Sequence, residues 1–166
     1  MFEKLTTAEE IYSFKLGAAL TMERTTLEML GELEEHAQRD DLKRLFREHA
    51  EETRQHIANI ERSFELLGED VDDSPCPAIQ GLQKEGQATI KKTDDRVVDA
   101  VLLASANETE HHEIAVYETL ITNADARGAT GVSELLRQNL TQEQAALDRV
   151  QAFAGRIAHD GVAVNA

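Results

Sequence analysis

One cysteine, two prolines and no tryptophan occur in a chain of 166 residues, and only 4% of it is aromatic. A single thiol, Cys76, forms no internal disulfide and cannot build a thiolate metal site alone. Its setting, Ser74-Pro75-Cys76-Pro77, reads as a loop carrying a tolerated free thiol. The shortage of aromatics leaves little to build strands from, whereas the abundant Ala, Leu, Glu, Gln and Arg form helices readily. Basic residues are also short: 17 Lys and Arg face 32 Asp and Glu, a formal net charge of −15. Like charges repel, so neither a nucleic-acid backbone nor an anionic membrane surface is expected as a partner. No run of about 18 apolar residues is present to span a bilayer, and the first residues, MFEKLTTAEE, lack the cationic and apolar regions of a secretory signal. A soluble, cytoplasmic protein with one domain over residues 1–166 is the expectation.

The apolar residues recur at helical spacing in four long stretches. Thr7 and Glu10 form a capping box, after which the period runs to about residue 37. Asp40 or Asp41 is placed to cap a second helix over 41–67, which stops at Gly68. Residues 68–93 differ in texture, with an acidic loop, the Pro-Cys-Pro turn and a short amphipathic stretch around Ile79, Leu82 and Ile90. They read as a crossover carrying a short helix. Asp94 or Asp95 opens a third long helix over 94–126, and a fourth covers 130–158, with 160–166 expected to fray. Two tight hairpins joined by one long crossover describe an all-α, ferritin-like four-helix bundle rather than a plain up-down-up-down one.

Each long helix carries a glutamate near its midpoint where the stripe calls for a leucine. Glu23 shares its face with Leu16, Ala19, Leu20, Leu27 and Leu30; Glu52 with Leu42, Leu45 and Ile60; Glu110 with Leu103, Ala106 and Ile114; Glu143 with Leu136, Leu140 and Leu147. The hairpin partners are 29 and 33 residues apart, so the four carboxylates should meet in one layer. Four ionised carboxylates in a dry core are untenable without neutralisation. Internal salt bridges are one answer, but Arg24, Arg54, Arg137 and Arg149 are spaced to point outward; a misplaced stripe is another. A bound cation accounts for all four together, and carboxylates with a few imidazoles suit iron or manganese.

His56, four residues after Glu52, can face the same ion, and Glu113, three after Glu110, could supply an extra terminal ligand. His49, three before Glu52, is expected behind the ligands rather than among them. His111 could brush the site, His112 points outward to solvent or an oligomer contact, and His36 and His159 fall at helix ends.

The stretch from Glu48 to His56, the stretch from Glu110 to Tyr117 and the Leu66-Leu67-Gly68 ending of the second helix together resemble the YciE/YciF (DUF892) branch of the ferritin-like superfamily. The resemblance spans nearly the whole chain. It implies a rubrerythrin-like bundle, commonly dimeric, with a dinuclear iron or related centre and an association with bacterial stress responses. By the motif match, Glu23, Glu52, His56, Glu110, Glu113 and Glu143 would be its ligands. The chain departs from the pattern on the fourth helix, where Ala146 and Leu147 stand in place of a second polar ligand. Three functions follow as expectations: a di-metal oxidoreductase reacting with dioxygen or peroxide, a metal-binding protein without turnover, and a structural stress protein acting through oligomerisation. With one cysteine there is no Cys-rich iron domain here, so an oxidoreductase would draw on an external electron donor.

Overall fold

The computed structural model describes the backbone of residues 4–164 and the side chains of residues 4–159. Five helices follow in order: α1 (Ala8–His36), α2 (Asp40–Leu67), α3 (Pro77–Ile90), α4 (Val98–Ala126) and α5 (Thr130–Val164). No strand occurs among the described residues.

The capping box forms as read: Glu10 N donates to Thr7 Oγ1 at 3.1 Å, and Glu10 Oε2 accepts from Thr7 N at 3.1 Å. Gly68 ends α2 in the left-handed conformation at φ 72°, open to glycine at little cost, and Glu69 N closes the turn onto Phe64 O at 3.0 Å. Three boundaries differ from the reading. Arg39, not an aspartate, precedes α2; Asp40 and Asp41 lie in its first turn, where their charge favours the helix N-terminus. Residues 94–97 form a turn closed by Val97 N on Asp94 O, so α4 starts at Val98. The helix expected to stop at 158 runs on to Val164, because a single Gly161 costs a helix interior only about 1 kcal/mol and does not by itself end it; residues 165–166 lie outside the described part.

α1 pairs with α2 and α4 with α5, α2 also packs on α5, and α1 on α4. Gln38 N at the end of α1 donates to Asp99 Oδ1 near the start of α4 at 2.8 Å, and Arg127 Nη2 beyond the end of α4 donates to Ala8 O at 2.6 Å. α1 and α4 are therefore antiparallel, α2 and α4 parallel, and the connection between them must climb the length of the bundle. It does so through α3, which lies against α1 and α4. Gly17 permits its close start: a Cβ there would stand 3.0 Å from Asp72 O and Ser74 N.

The apolar core falls into two blocks. Leu16, Leu20, Ile60, Phe64, Leu120 and Leu136 fill one end, and Leu30, Leu42, Phe46, Leu102, Leu103 and Val150 the other. Between them lies a layer of buried acids and imidazoles.

Candidate metal centre

All four long helices feed that layer. α1 contributes Glu23; α2 contributes His49 and His56, two turns apart on one face; α4 contributes Glu110 and Glu113; α5 contributes Glu143, and all six are buried. One donor atom each from His49, Glu110, Glu113 and Glu143 lie within 4.8 Å of one another, and the same holds for Glu23, His56 and Glu143. Glu143 belongs to both groups. Its Oε1 stands 2.9 Å from His56 Nδ1 and its Oε2 3.5 Å from His49 Nε2. His49 Nε2 also lies 3.0 Å from Glu110 Oε1, and His56 Nδ1 3.4 Å from Glu23 Oε2.

Each imidazole is anchored by its outer nitrogen and turns the other inward. His56 Nε2 is 2.8 Å from Gln142 Oε1. His49 Nδ1 is 3.0 Å from Glu52 Oε2. Two of the acids are held in the same way: Thr26 donates to Glu113 Oε1 at 2.6 Å, and the Tyr117 hydroxyl donates to Glu23 Oε1. That hydroxyl in turn accepts from Asn139 Nδ2 at 3.0 Å, and Asn59 Nδ2 donates to Asn139 Oδ1 at 2.7 Å. The outer atoms of Glu23, His49, His56 and Glu113 are satisfied, whereas the inner ones are not. Among the described residues, nine buried side-chain polar atoms have no hydrogen-bond partner, and seven belong to these six residues: Glu23 Oε2, His49 Nε2, His56 Nδ1, Glu110 Oε2, Glu113 Oε2 and both oxygens of Glu143. The imidazole nitrogens approach carboxylate oxygens closely but out of line for hydrogen bonding. Buried polar atoms are rarely left so, and convergent unpartnered O and N donors are what a cation would satisfy.

The titrations follow from this crowding. Burial raises the pKa of Glu23 against the opposing pull of the nearby His56 imidazole, and raises Glu143 in the same way. Burial, followed by the charges of Glu143, Glu23 and Glu110, holds Glu113 well above the usual carboxylate range. Burial would push His56 down, but Glu143 and Glu23 retain its proton and lift it to about 10. His49 is likewise raised despite its burial, chiefly by Glu110. Without a cation the layer neutralises itself with protons; a divalent ion would displace them.

Five of the six ligand positions expected from sequence come together here: Glu23, His56, Glu110, Glu113 and Glu143. Glu52 does not. Its side chain is 27% exposed, and Oε2 accepts from Arg149 Nη2 at 2.6 Å. The reason is rotational: His49 and His56 occupy the inward seam of α2, and Glu52 lies at its edge. Arg149, expected to point outward, bends to that edge. His49, expected behind the ligands, is among the inward donors. The donor set is thus four carboxylates and two imidazoles. His111 is exposed and bonded through Nδ1 to Asn107 O at 2.8 Å, away from the cluster. His112 is half-buried rather than fully solvated, 4.0 Å from the Cys76 sulfur, and Cys76 itself is buried at the start of α3. Thr26, Asn59 and Asn139 were not singled out in the sequence, yet each is a polar residue three or four positions from a core acid or histidine. Gln142, beside Glu143, gave no such signal.

Fold and site together define a four-helix bundle with a buried carboxylate–imidazole layer. The model of the family described as Domain of unknown function (DUF892) matches residues 7–163, and the chain belongs to that family. It is 31% identical over 141 residues to Protein YciF of Escherichia coli (strain K12), covering 84% of this chain and 85% of that protein. Among solved structures, YcfI of Rhodopseudomonas palustris, described as a proposed structural protein, superposes with a TM-score of 0.87 at 32% identity, covering 91% of this chain and 97% of that one. The E. coli stress protein YciF superposes with a TM-score of 0.85 at 28% identity over 90% and 96% of the two chains.

Proposed function

We propose that this is a dinuclear metal protein of the YciF stress-protein kind, holding two iron ions, or manganese in their place. Glu23, His56 and Glu143 hold one ion, and His49, Glu110, Glu113 and Glu143 the other, with Glu143 shared. The observation that carries the reading is the seven unpartnered inward atoms on six buried residues. The donor types support it as well: four carboxylates and two imidazoles are the complement that ferritin-like bundles devote to two such ions.

Bound iron would supply one-electron chemistry toward dioxygen or peroxide, which makes a di-iron oxidoreductase of peroxidase or ferroxidase type the leading activity. The chain's own residues do the rest. The two apolar blocks exclude water from the layer, Tyr117 keeps a hydroxyl proton on Glu23, and Thr26 fixes Glu113 with one oxygen inward. An external donor supplies electrons, and a homodimer is the assembly the resemblance implies. Cytoplasmic placement belongs to the same proposal; no helix among the described residues is long and apolar enough to cross a membrane.

Elemental analysis after anaerobic reconstitution with ferrous ion should find about two ions per chain, and finding none would end this reading. Stopped-flow mixing of the ferrous protein with peroxide then tests turnover. A second reading, a non-catalytic metal-binding or structural stress protein, draws on the description given to YcfI. It predicts two bound ions that peroxide oxidises no faster than free ferrous ion.

A further inference from the structure

The two imidazoles of the layer are anchored differently. His56 leans on a neutral amide oxygen, that of Gln142, whereas His49 leans on the carboxylate of Glu52. The same Glu52 oxygen accepts from Arg149 Nη2 at 2.6 Å, so one atom ties the guanidinium of α5 to the imidazole of α2. Burial works against the Glu52 charge, but His49 and Arg149 hold its pKa below the usual range. A small void of about 10 Å³ lies beside this chain of contacts, bordered by His49, Glu110 and Arg149. The His49 ring is therefore not packed tightly on every side.

We propose that Glu52 is a positioning residue: anchored by Arg149, it holds the His49 ring with Nδ1–H turned outward, so that Nε2 faces Glu110 and Glu143. Three observations converge on this. Glu52 stands outside both inward donor groups. Its Oε2 is satisfied twice over, by the outer nitrogen of His49 and by the guanidinium of Arg149. His49 Nε2, the atom it aims, is one of the unpartnered inward atoms. A carboxylate on the far nitrogen fixes which ring nitrogen is free and makes it the more basic donor. Because the Glu52 contact is charged and the Gln142 contact neutral, His49 is the firmer of the two imidazoles. The part of this inference that concerns affinity rests on the proposed metal centre, whereas the orientation of the ring does not.

Cobalt(II) titration of the metal-free protein, followed by its visible absorption, tests the role. Wild type, Glu52→Gln, Glu52→Ala and Arg149→Met should all bind two ions. Glu52→Ala should weaken the ion at His49 by about ten- to a hundredfold, and Glu52→Gln by less, because its amide oxygen still accepts from Nδ1–H. Loss of one ion outright in Glu52→Gln would make Glu52 a ligand and overturn the proposal, as would affinity in Glu52→Ala indistinguishable from wild type. Nitrogen-15 NMR of the metal-free protein supplies an independent reading. A slowly exchanging His49 Nδ1–H resonance should be present in wild type and Glu52→Gln and absent in Glu52→Ala. Its persistence in Glu52→Ala would refute the positioning role even if wild type bound no cobalt, the outcome that would refute the metal centre instead.

Discussion

Glu143→Leu separates a metal centre from a salt-bridged core more sharply than any other substitution, because Glu143 alone belongs to both donor groups. Its side chain is fully buried, and both its oxygens lack hydrogen-bond partners. In the metal-free protein it contributes ion-pair contacts to His56 at 2.9 Å and His49 at 3.5 Å. Those imidazoles keep other partners when it is removed: Glu23 Oε2 is 3.4 Å from His56, and Glu110 Oε1 3.0 Å from His49. Leucine continues the stripe of Leu136 and Leu140, returning about 1.5–3 kcal/mol of apolar burial, and relieves the mutual repulsion of the acids. The metal-free variant should accordingly be as stable as wild type or more so, since replacing buried charge by apolar groups is often neutral or stabilising.

The metal-dependent part is opposite in sign. Free ion at a hundred times its dissociation constant stabilises the native state by about 2.7 kcal/mol per site. For a chain of this size each kcal/mol moves Tm by about 2–4 °C, so each filled site should raise the wild-type melting temperature by roughly 5–11 °C, while Glu143→Leu should show no rise at all. Differential scanning calorimetry with and without ferrous or manganous ion under anaerobic conditions measures both quantities. A metal-free Glu143→Leu protein less stable by more than about 3 kcal/mol, the cost of breaking a buried ion pair, would show instead that the layer is an internal salt-bridge lattice.

Three further outcomes follow from the same geometry. Glu113→Gln keeps the Thr26 hydrogen bond but removes a charge, so calorimetric titration should show the ion shared with His49 weakened and the ion at His56 little changed; equal weakening of both would contradict the grouping. The metal-free layer binds more protons than its unfolded residues do. His56 is raised to about 10, so its stabilisation is complete below its unfolded value near 6.5 and is lost as the pH climbs toward 10, while Glu23 and Glu143, also raised, add cost once the pH passes about 4.5. Metal-free melting temperature should therefore fall between pH 5 and 10 while metal affinity rises, and a flat or rising metal-free profile would refute the assignment. Tyr117→Phe removes the hydroxyl between Glu23 and Asn139 and should cost about 1–3 kcal/mol, read by urea unfolding; no loss would mean that this hydrogen bond is not formed.

The bundle was legible because its signals are repetitive. Apolar spacing over four stretches, the Thr7–Glu10 box and Gly68 each act locally and agree with the tertiary arrangement. The short helix around Ile79 was also readable, as was the need for a crossover. Helix starts were less so. Val97 and Arg39 precede helices without side-chain caps, while the aspartates that looked like caps serve in a turn or a first turn. A capping residue marks where a helix can begin, and the packing of Val98 and Leu42 into the core decides where it does.

The site shows a finer limit of the same kind. Spacing places Glu52 between His49 and His56, three residues from one and four from the other, so all three share a stripe about 100° wide. Spacing alone does not say which edge of that stripe the neighbouring helices cover. Only the approach of α5 against α2 resolves it, bringing Gln142, Glu143 and Arg149 to one side of α2. His49 and His56 then fall on the seam, and Glu52 falls where Arg149 reaches it. Inward donors needed two imidazoles for four acids, and an outer carboxylate to orient one of them. A sequence reading that counts acids in a stripe takes the orienting group for a ligand, because both are glutamates at helical spacing and differ only in which way a neighbouring helix turns them.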